Sequence, residues 1–367
     1  MTPSVPSTMR AAYIAEYNKP YALNESRATP TPGPEDLLIR VHAAGFCHSD
    51  AQALQGQFRT PSPLGLIPSH EIAGVIAATG ASYQGQFKIG DRVGILNFKH
   101  ACGTCPGCRL RKRTTSNKPS DPRFCDNRET AGFLHDGGFA DYAVGDPETT
   151  VRLPDGMSFA QAAPLMCAGA TVWGSLERAT EGLAKGDTIA IVGVGGLGHL
   201  GVQFAKALGF QVIAVDSRQA GRDLAMEMDN RSLQPDLVVD SSDPTTASEQ
   251  IYRFTNNEGV AAAVVCTDSI AANRWALQLL RIGGTLGLLG LPPTPWQFDA
   301  DVIVFKELSI RGSYVAGRDA TERMLEVVEE AGVRSQVTEI GYERIPEIME
   351  LYEDREFKGR LVVNMAD

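Results

Sequence analysis

The stretch TIAIVGVGGLG at residues 188–198 is a short apolar run that ends in closely spaced glycines. A helical pattern follows over residues 199–208, and a second apolar run occupies 211–215 before Asp216. Short apolar runs that alternate with helical segments are typical of buried parallel strands joined by helices. These residues therefore predict a β-α-β unit in which a glycine turn connects the first strand to the helix.

The glycine turn has the spacing of a dinucleotide-binding loop. Gly193 permits the tight turn, Gly195 lets the backbone approach a pyrophosphate, and Gly198 permits close packing of helix on strand. Asp216 lies 23 residues after Gly193, where a carboxylate accepts hydrogen bonds from the adenosine ribose and repels the extra phosphate of NADP. Arg218 can accommodate that phosphate, so NAD is expected and NADP is the alternative. The residues expected to contact the dinucleotide are Gly193, Gly195, Gly196, Leu197, Gly198, Asp216 and Arg218.

The sequence before this unit and the sequence after it predict different patterns of secondary structure. The first ~165 residues suggest short strands between Pro and Gly turns, at 37–43, 72–77 and 91–96. Beyond residue 170, further buried strands are expected at 237–239, 262–266 and 285–289, then an acidic helix at 320–331 and a closing strand at 361–363. The sequence thus predicts an α/β protein with a β-rich domain and a doubly wound parallel sheet.

Composition excludes several classes of function. The 367 residues carry a net charge of -10, which argues against a general nucleic-acid binder. One local exception is a basic run within the 109–124 segment, made up of Arg109, Arg111, Lys112, Arg113, Lys118 and Arg123. No stretch approaches the ~18 apolar residues of a membrane helix, and the N-terminal residues lack the apolar region of a secretory signal. Six of the seven cysteines fall in metal-like groups, which fits a reducing compartment, so a cytoplasmic location is expected.

Three residues from distant segments have the chemistry of a catalytic metal site. Cys47, His70 and Cys167 offer two thiolates and one imidazole, which leaves a fourth position open on a tetrahedral zinc ion. Asp50 and Glu71 lie close to these ligands in sequence and are candidates to orient the imidazole and tune the metal.

A second group has the closed pattern of a structural zinc site. Cys102, Cys105, Cys108 and Cys125 supply four thiolates, and only Cys266 is left as a packed thiol. The sequence therefore predicts two zinc ions per chain, one catalytic and one structural.

Several motifs in order resemble the zinc-containing medium-chain alcohol dehydrogenases, most closely their microbial, yeast-type branch. The motifs are GFCHSD, PSHEIAGVIAATG, the four-cysteine lobe, GVGGLGHLGVQFAKALG and FKGRLVV, and they extend over nearly the whole chain. The resemblance implies a GroES-like catalytic domain built from residues 1–168, with the zinc lobe at 98–130, and from 314–367. A Rossmann domain at 169–313 would be inserted between the two parts.

The resemblance also implies roles for individual residues. Cys47, His70 and Cys167 would hold the catalytic zinc, which as a Lewis acid stabilises the alkoxide of a bound alcohol. The alkoxide would then release hydride to the nicotinamide, or the reverse reaction would reduce a carbonyl. The expected catalytic residues are Ser49, at the substrate oxygen, His48, at the coenzyme pyrophosphate, Asp50 and Glu71, and Arg360 is a further coenzyme contact.

Three departures from the family pattern bear on activity. Cys125 follows Cys108 after sixteen residues rather than seven, and the insertion carries most of the basic run. Gln52 occupies the position of a histidine that relays the substrate proton in yeast-type relatives, and an amide cannot titrate. Asn97 stands where relatives often carry an indole, while Phe58 keeps an aromatic ring near another pocket wall.

The leading interpretation is an NAD-linked dehydrogenase that interconverts primary or secondary alcohols and aldehydes or ketones. The alternatives are an NADPH-linked biosynthetic reductase of a bulky aldehyde, ketone or imine, and a catalytically silent nucleotide-binding protein. The expected partners are a small-molecule substrate and copies of the chain itself in a homo-dimer or homo-tetramer, with no nucleic acid and no membrane.

Overall fold

The chain divides into two compact units. The structure, a computed structural model, describes residues 5–114, 121–292, 294–354 and 356–366, with the backbone alone for 111–114. The first unit comprises the chain up to Cys167, Gly317–Glu322 and the residues from Val337 onward. The second comprises Ala168–Ala316 and Arg323–Gln336.

Strands and helices alternate irregularly in the first unit and regularly in the second. The strands are β1 Thr8–Tyr13, β2 Ala22–Ala28, β3 Leu37–Phe46, β4 Glu71–Thr79, β5 Arg92–Ile95, β6 Phe98–Lys99, β7 Glu129–Thr130, β8 Tyr142–Gly145, β9 Thr150–Arg152, β10 Thr188–Val192, β11 Gln211–Asp216, β12 Leu237–Asp240, β13 Val260–Val265, β14 Leu280–Leu288, β15 Ser309–Gly312, β16 Val337–Gly341 and β17 Arg360–Asn364. The helices are α1 His48–Leu54, α2 Pro106–Thr114, α3 Phe159–Pro164, α4 Ala170–Ala179, α5 Gly198–Ala207, α6 Gln219–Met226, α7 Pro244–Phe254, α8 Ile270–Leu279, α9 Ala300–Lys306, α10 Arg318–Ala331 and α11 Ile348–Glu353.

The first unit is built on a mixed sheet. Its strands run in the order β16-β17-β3-β4-β5-β9, and β8 also pairs with β3. The closing strand β17 is antiparallel to β3, pairing Leu361 with Phe46, and parallel to β16. Alternate residues of β3, among them Leu37, Ile39 and Val41, enter the core, as a strand with one face on the core requires. This sheet brings the end of β3 next to the start of β4, so Cys47 and His70, two of the predicted metal ligands, follow and precede paired residues.

The second unit contains the predicted doubly wound sheet. Six strands lie in the order β12-β11-β10-β13-β14-β15, and every neighbouring pair in this order is parallel. The order reverses beside β10, because β11 lies on one side of it and β13 on the other. In open α/β sheets ligands bind at the carboxyl ends of the strands at such a reversal. The glycine turn after β10 lies at that point.

The structure differs from the sequence-based domain boundaries mainly after residue 313. Residues from 314 onward were all expected in the first unit, but 314–316 and 323–336 belong to the second, as does Ala168. Arg323 forms an ion pair with Glu177 there, at 2.7 Å between Nη2 and Oε1. The side-chain amide of Gln203 also binds both backbone polar groups of Arg334. Within the described ranges, no helix is both long and apolar enough to cross a membrane.

Candidate metal centres and dinucleotide loop

Asp50 organises the segment that carries the first metal ligand. Cys47 lies between β3 and α1, and its backbone N–H donates to Oδ2 of Asp50 at 3.0 Å. Asp50 is fully buried, and its Oδ1 accepts hydrogen bonds from the backbone of Ser69 and from Nδ1 of His70, each at 3.1 Å. A carboxylate on the far nitrogen of a ligating imidazole fixes its tautomer and leaves Nε2 for the metal.

Ser69 holds the second ligand in place with a strained backbone. Its φ of 75° lies in the left-handed region, which non-glycine residues rarely adopt. Its hydroxyl donates to the carbonyl of Gly45 at 2.8 Å, and its own carbonyl accepts from the backbone N–H of Gly138. Such strain persists only where the surroundings over-determine it, which is common at functional sites.

Cys167 lies in a single π-helical turn, Leu165–Gly169, between α3 and α4. Turns of this type bulge outward from a helix and are frequent at functional sites. The turn brings Sγ of Cys167 to 3.1 Å from Nε2 of His70. The structure therefore brings together all three residues that the sequence predicts as ligands of the catalytic zinc.

The chemistry of this cluster fits a metal ion. One potential ligand atom each from Cys47, His70, Glu71 and Cys167 lies within 4.8 Å of the others. Glu71 is fully buried, and among the described residues its Oε2 has no hydrogen-bond partner. A buried carboxylate oxygen left in this way is costly unless a ligand satisfies it. Two thiols and an imidazole form a donor set that suits zinc.

Glu71 has different partners from Asp50. Both were candidates to orient the imidazole and tune the metal, but only Asp50 bonds to His70. Glu71 instead forms an ion pair through Oε1 with Arg360, which also donates to the carbonyl of Phe46 at 3.1 Å. Arg360, expected at the coenzyme, is 4 % exposed and engaged within the first unit. Its coenzyme contact therefore stays a prediction.

The electrostatics of the cluster favour a thiolate. A hydrogen bond from Cys167 keeps the pKa of the Cys47 thiol well below its usual range, despite the opposing effect of burial. Burial alone would lower the pKa of His70, but the Asp50 carboxylate and the Cys47 sulfur together outweigh it, and the pKa is raised. Burial raises the pKa of Glu71 to about 7, against the pull of Arg360. A metal ion binding here would displace protons from these groups.

The remaining predicted active-site residues lie at the start of α1. Ser49 and Gln52 are half-buried, and His48 is exposed with its Nδ1 3.2 Å from the hydroxyl of Tyr352. Tyr352 was not predicted as a neighbour of His48, because 304 residues separate the two side chains.

The four-cysteine cluster is also assembled. One sulfur from each of Cys102, Cys105, Cys108 and Cys125 lies within 4.8 Å of the others. Backbone N–H groups point at three of the sulfurs, for example those of Cys105 and Asp126 at 3.4 Å from Sγ of Cys102 and Cys105 respectively. Hydrogen bonds from Thr104 and the backbone lower the pKa of Cys102 to about 5. Burial instead raises the pKa of Cys108 to about 12, so a zinc ion binding here as a structural ion would have to displace that proton.

The basic run of the lobe is only partly described. Residues 115–120, which include Lys118, lie outside the described residues, as do the side chains of Arg111, Lys112 and Arg113. Arg123 is 9 % exposed and forms an ion pair with Asp121 at 2.7 Å, so it is not part of a solvated basic surface.

The glycine loop has the geometry that a pyrophosphate site needs. Gly193 has φ of 91°, which is accessible mainly to glycine, and a Cβ on Gly198 would lie 1.9 Å from the carbonyl oxygen of Gly193. A Cβ on Gly195 would meet only one Arg218 nitrogen within 4 Å, at 3.6 Å, so the space over this glycine is open. The loop therefore fits a dinucleotide at the start of α5.

Asp216 is more deeply engaged than the sequence suggested. It is 5 % exposed, and its Oδ2 accepts a hydrogen bond from the backbone N–H of Val194 at 2.8 Å. Its Oδ1 accepts from the backbone N–H of Arg218 at 2.8 Å, and the Arg218 guanidinium lies 3.3 Å away. The carboxylate thus stabilises the glycine loop, and its contact with a ribose stays a prediction.

An aromatic pair lies beside the catalytic cluster. The rings of Phe58 and Phe133 meet edge to face at 5.3 Å, and Phe133 lies 4.7 Å from the ring of His70. Phe133 was not predicted, since nothing in its local sequence marks it. Asn97 is half-buried, and its carbonyl accepts from the backbone of Ala131 at 2.9 Å.

Comparisons with known proteins agree with this assembly. The profile of the alcohol dehydrogenase GroES-like domain matches residues 33–155, and that of the zinc-binding dehydrogenase matches 196–330. An alcohol dehydrogenase of Rhizobium meliloti (strain 1021) is 36% identical over 358 residues, covering 98% of this chain and 99% of the relative. The chain belongs to the zinc-containing medium-chain alcohol dehydrogenases. This confirms the predicted family; the yeast-type branch stays a prediction.

Solved structures of this family have the same fold. A cinnamyl alcohol dehydrogenase of Sorghum bicolor superposes with a TM-score of 0.83 at 25% identity, covering 98% of both chains. The acetophenone reductase of Geotrichum candidum, solved in complex with NAD, superposes at 0.78 with 26% identity, covering 99% of this chain and 98% of that one. As a zinc-containing medium-chain alcohol dehydrogenase, the chain is an oxidoreductase with a GroES-like and a Rossmann domain, and its cofactors are zinc and a nicotinamide dinucleotide.

Proposed function

We propose that the protein oxidises primary or secondary alcohols with NAD at a zinc ion held by Cys47, His70 and Cys167, or reduces the corresponding carbonyls. The observation that carries this proposal is the convergence of two thiols and an Asp50-oriented imidazole in one buried cluster. When bound, zinc supplies a Lewis acid for the substrate oxygen and the nicotinamide supplies a hydride acceptor.

The residues around the cluster would divide the remaining work. Asp50 holds the imidazole of His70 in the tautomer that presents Nε2. Ser49 would accept the hydrogen bond of the substrate hydroxyl and pass its proton outward. Gln52 can continue a hydrogen-bonded chain but cannot take up the proton as a base. Water or another group would have to receive it.

A second zinc ion in the four-cysteine lobe would be structural. The four sulfurs leave no ligand position open, and the backbone hydrogen bonds to three of them suit thiolates. Binding of zinc there would contribute to the stability of the lobe rather than to chemistry.

NAD is the proposed coenzyme because the Asp216 carboxylate lies at the end of β11, where it would meet the ribose. NADP remains the second candidate, since the Arg218 side chain is 58% exposed and lies near the space over Gly195. That arrangement could hold a 2′-phosphate in an NADPH-linked reductase.

The substrate would be a small molecule larger than ethanol. Phe133 and Phe58 provide an aromatic wall beside His70, and Asn97 is smaller than the indole of many relatives. Aromatic or branched alcohols would use this wall through ring packing.

We also propose a homo-dimer or homo-tetramer in the cytoplasm. Large apolar side chains of the second unit are exposed, including Phe305 at 82% and Leu291 at 82%, and β15 ends the order of its sheet. An exposed apolar surface beside a sheet edge favours association with another copy. Thiols gathered for metal binding suit a reducing compartment.

The test combines turnover with zinc counting. The purified protein should reduce NAD in the presence of an alcohol and contain two zinc ions per chain. Cys47→Ser should abolish turnover while leaving the fold largely intact, whereas Cys102→Ser should mainly lower the melting temperature. A fully active chain with one zinc ion or none would contradict the proposal.

A further inference from the structure

His199 connects the glycine loop to a distant segment of the same unit. It is the second residue of α5, is 1 % exposed, and lies directly after the last glycine of the loop. The sequence offered no partner for it, but the structure gives both ring nitrogens one. Nδ1 lies 2.9 Å from the carbonyl oxygen of Gly195, and Nε2 accepts from the backbone N–H of Gln336 at 3.2 Å.

These contacts fix the tautomer of the ring. A backbone N–H can only donate, so Nε2 must be the bare nitrogen and Nδ1 must carry the proton. Nδ1–H of His199 therefore donates to Gly195, and the hydroxyl of Ser335, 3.3 Å from Nε2, donates to the ring as well. The imidazole is satisfied in its neutral form.

A second residue of α5 reinforces the connection. Gln203 lies one helical turn after His199, and its side-chain amide donates to the carbonyl of Arg334 at 2.7 Å and accepts from the Arg334 N–H at 3.0 Å. The same amide donates to the carbonyl of His199 at 3.2 Å. Side chains of α5 thus contact three consecutive residues, 334–336, and this segment holds the Nε2 side of the His199 ring.

The hydrogen bond to Gly195 decides where the next peptide N–H points. The Gly195 carbonyl accepts from both the ring and the backbone N–H of His199, the latter at 3.1 Å, and is therefore held toward the helix. A trans peptide places its C=O and N–H on opposite sides, so the N–H of Gly196 is directed away from the helix. Outward N–H groups at the start of a helix are the donors that bind a pyrophosphate.

We propose that His199 is a positioning residue for the coenzyme, which holds the Gly195–Gly196 peptide in the orientation that binds the pyrophosphate. This inference rests on the proposed binding of NAD at the glycine loop. It assigns the effect to the Nδ1 donor, while the Nε2 acceptor serves to hold the ring and the 334–336 segment together.

Two substitutions separate the two nitrogens. In His199→Asn, the side-chain amide can replace the Nδ1 donor but does not reach Gln336. In His199→Gln, the longer amide can replace the Nε2 acceptor but leaves the Gly195 carbonyl without its ring donor. A loss of ~1 kcal/mol from one hydrogen bond corresponds to roughly a fivefold change in affinity.

The experiment measures the Kd of NADH for the zinc-loaded enzyme by nicotinamide fluorescence, together with KM and kcat. His199→Gln should raise the Kd of NADH and the KM of NAD roughly fivefold, while His199→Asn stays within about twofold of the unaltered enzyme. In both variants kcat at saturating NAD and the KM of the alcohol should be unchanged.

Thr255→Val is the matched control. Thr255 is buried at the end of α7, donates through its hydroxyl to the carbonyl of Ile251 at 2.9 Å and accepts from the backbone N–H of Gly259 at 3.1 Å. Its replacement therefore removes a donor and an acceptor, as at His199, but far from the glycine loop. It should lower the melting temperature and leave the Kd of NADH unchanged. Equal Kd values for the Asn and Gln variants, or a Kd that rises in proportion to lost stability in every variant, would overturn the proposed role of His199 but not the proposed coenzyme. No NADH binding by the unaltered enzyme would overturn the proposed coenzyme as well.

Discussion

Replacement of Asp50 by asparagine should weaken zinc binding at the proposed catalytic site. The carboxylate is fully buried and accepts three hydrogen bonds, from Cys47, Ser69 and His70, at 3.0 to 3.1 Å. Asparagine has the same shape but only one acceptor oxygen. If that oxygen serves Ser69 and His70, the new amide N–H₂ faces the backbone N–H of Cys47, and two donors oppose each other.

The magnitude follows from these contacts. A buried donor left without an acceptor costs about 1–3 kcal/mol, and the hydrogen bond to the imidazole also loses its charge. Because these groups position two of the zinc ligands, we expect zinc affinity at this site to fall about 10–100-fold, the range seen when an outer partner of a ligating histidine is removed. The value of kcat should fall with zinc occupancy.

The assay is competition for zinc with a chromogenic chelator, read together with turnover at each zinc concentration. Asp50→Asn should lose one of two zinc equivalents at a lower chelator concentration than the unaltered enzyme, while the four-cysteine lobe keeps the other. Asp187→Asn is the control, since Asp187 also accepts a backbone hydrogen bond, from Ala184 at 2.9 Å, but lies in the second unit. If the zinc affinity and kcat of Asp50→Asn stay within about twofold of the values for the unaltered enzyme, the reasoning is refuted.

Four further predictions test coenzyme choice, substrate, proton transfer and acid stability. Asp216→Ser should lower the affinity for both coenzymes, because the glycine loop loses a hydrogen-bond acceptor, and should reduce the ratio of kcat/KM for NAD to that for NADP. Faster turnover of the unaltered enzyme with NADP than with NAD, at equal low concentration, would contradict this. Asn97→Trp should lower kcat/KM more for aromatic or branched alcohols than for ethanol. Equal losses of kcat/KM for all of these alcohols would show that Asn97 does not line the substrate pocket. Gln52→His should raise alcohol oxidation near neutral pH and add a titration near pH ~6.5, checked by pH profiles with a deuterated alcohol; superimposable profiles would exclude a relay at this position. Burial lowers the pKa of His135 to about 4, so its contribution to stability is present above the unfolded value of 6.5 and is lost as pH falls toward 4. His135→Gln should therefore reduce the decline in the urea midpoint between pH 6.5 and 4, and an unchanged decline would count against it.

Local sequence pattern predicted the elements that the sheets need. The run at 188–192 became β10 with the bounds expected, because an apolar pentapeptide ended by glycine has few alternatives. Cys47, His70 and Cys167 were also expected to meet, and one potential ligand atom of each lies within 4.8 Å of the others. That they hold zinc stays a prediction.

Contacts between distant residues were the part that the sequence did not reveal. Phe133 lies against His70 and Tyr352 against His48 only because the fold brings their segments together. The pairing of Arg360 with Glu71 joins residues 289 positions apart, and neither neighbourhood marks it. The π-helical turn at Cys167 is likewise a tertiary feature, because nothing in helix propensity predicts the inserted residue.

The position of β17 has a consequence for synthesis of the chain on the ribosome. This strand lies between β16 and β3 in the first sheet, and it also brings Arg360 to the buried Glu71. The first unit therefore stays incomplete until β17 has been translated, whereas most of the second unit, Ala168–Ala316, is contiguous. We expect Ala168–Ala316 to fold first, with the edge of β3 open in the meantime. Nascent chains stopped before residue 360 would expose that edge to intermolecular strand pairing, so the risk of aggregation is greatest before β17 has been made.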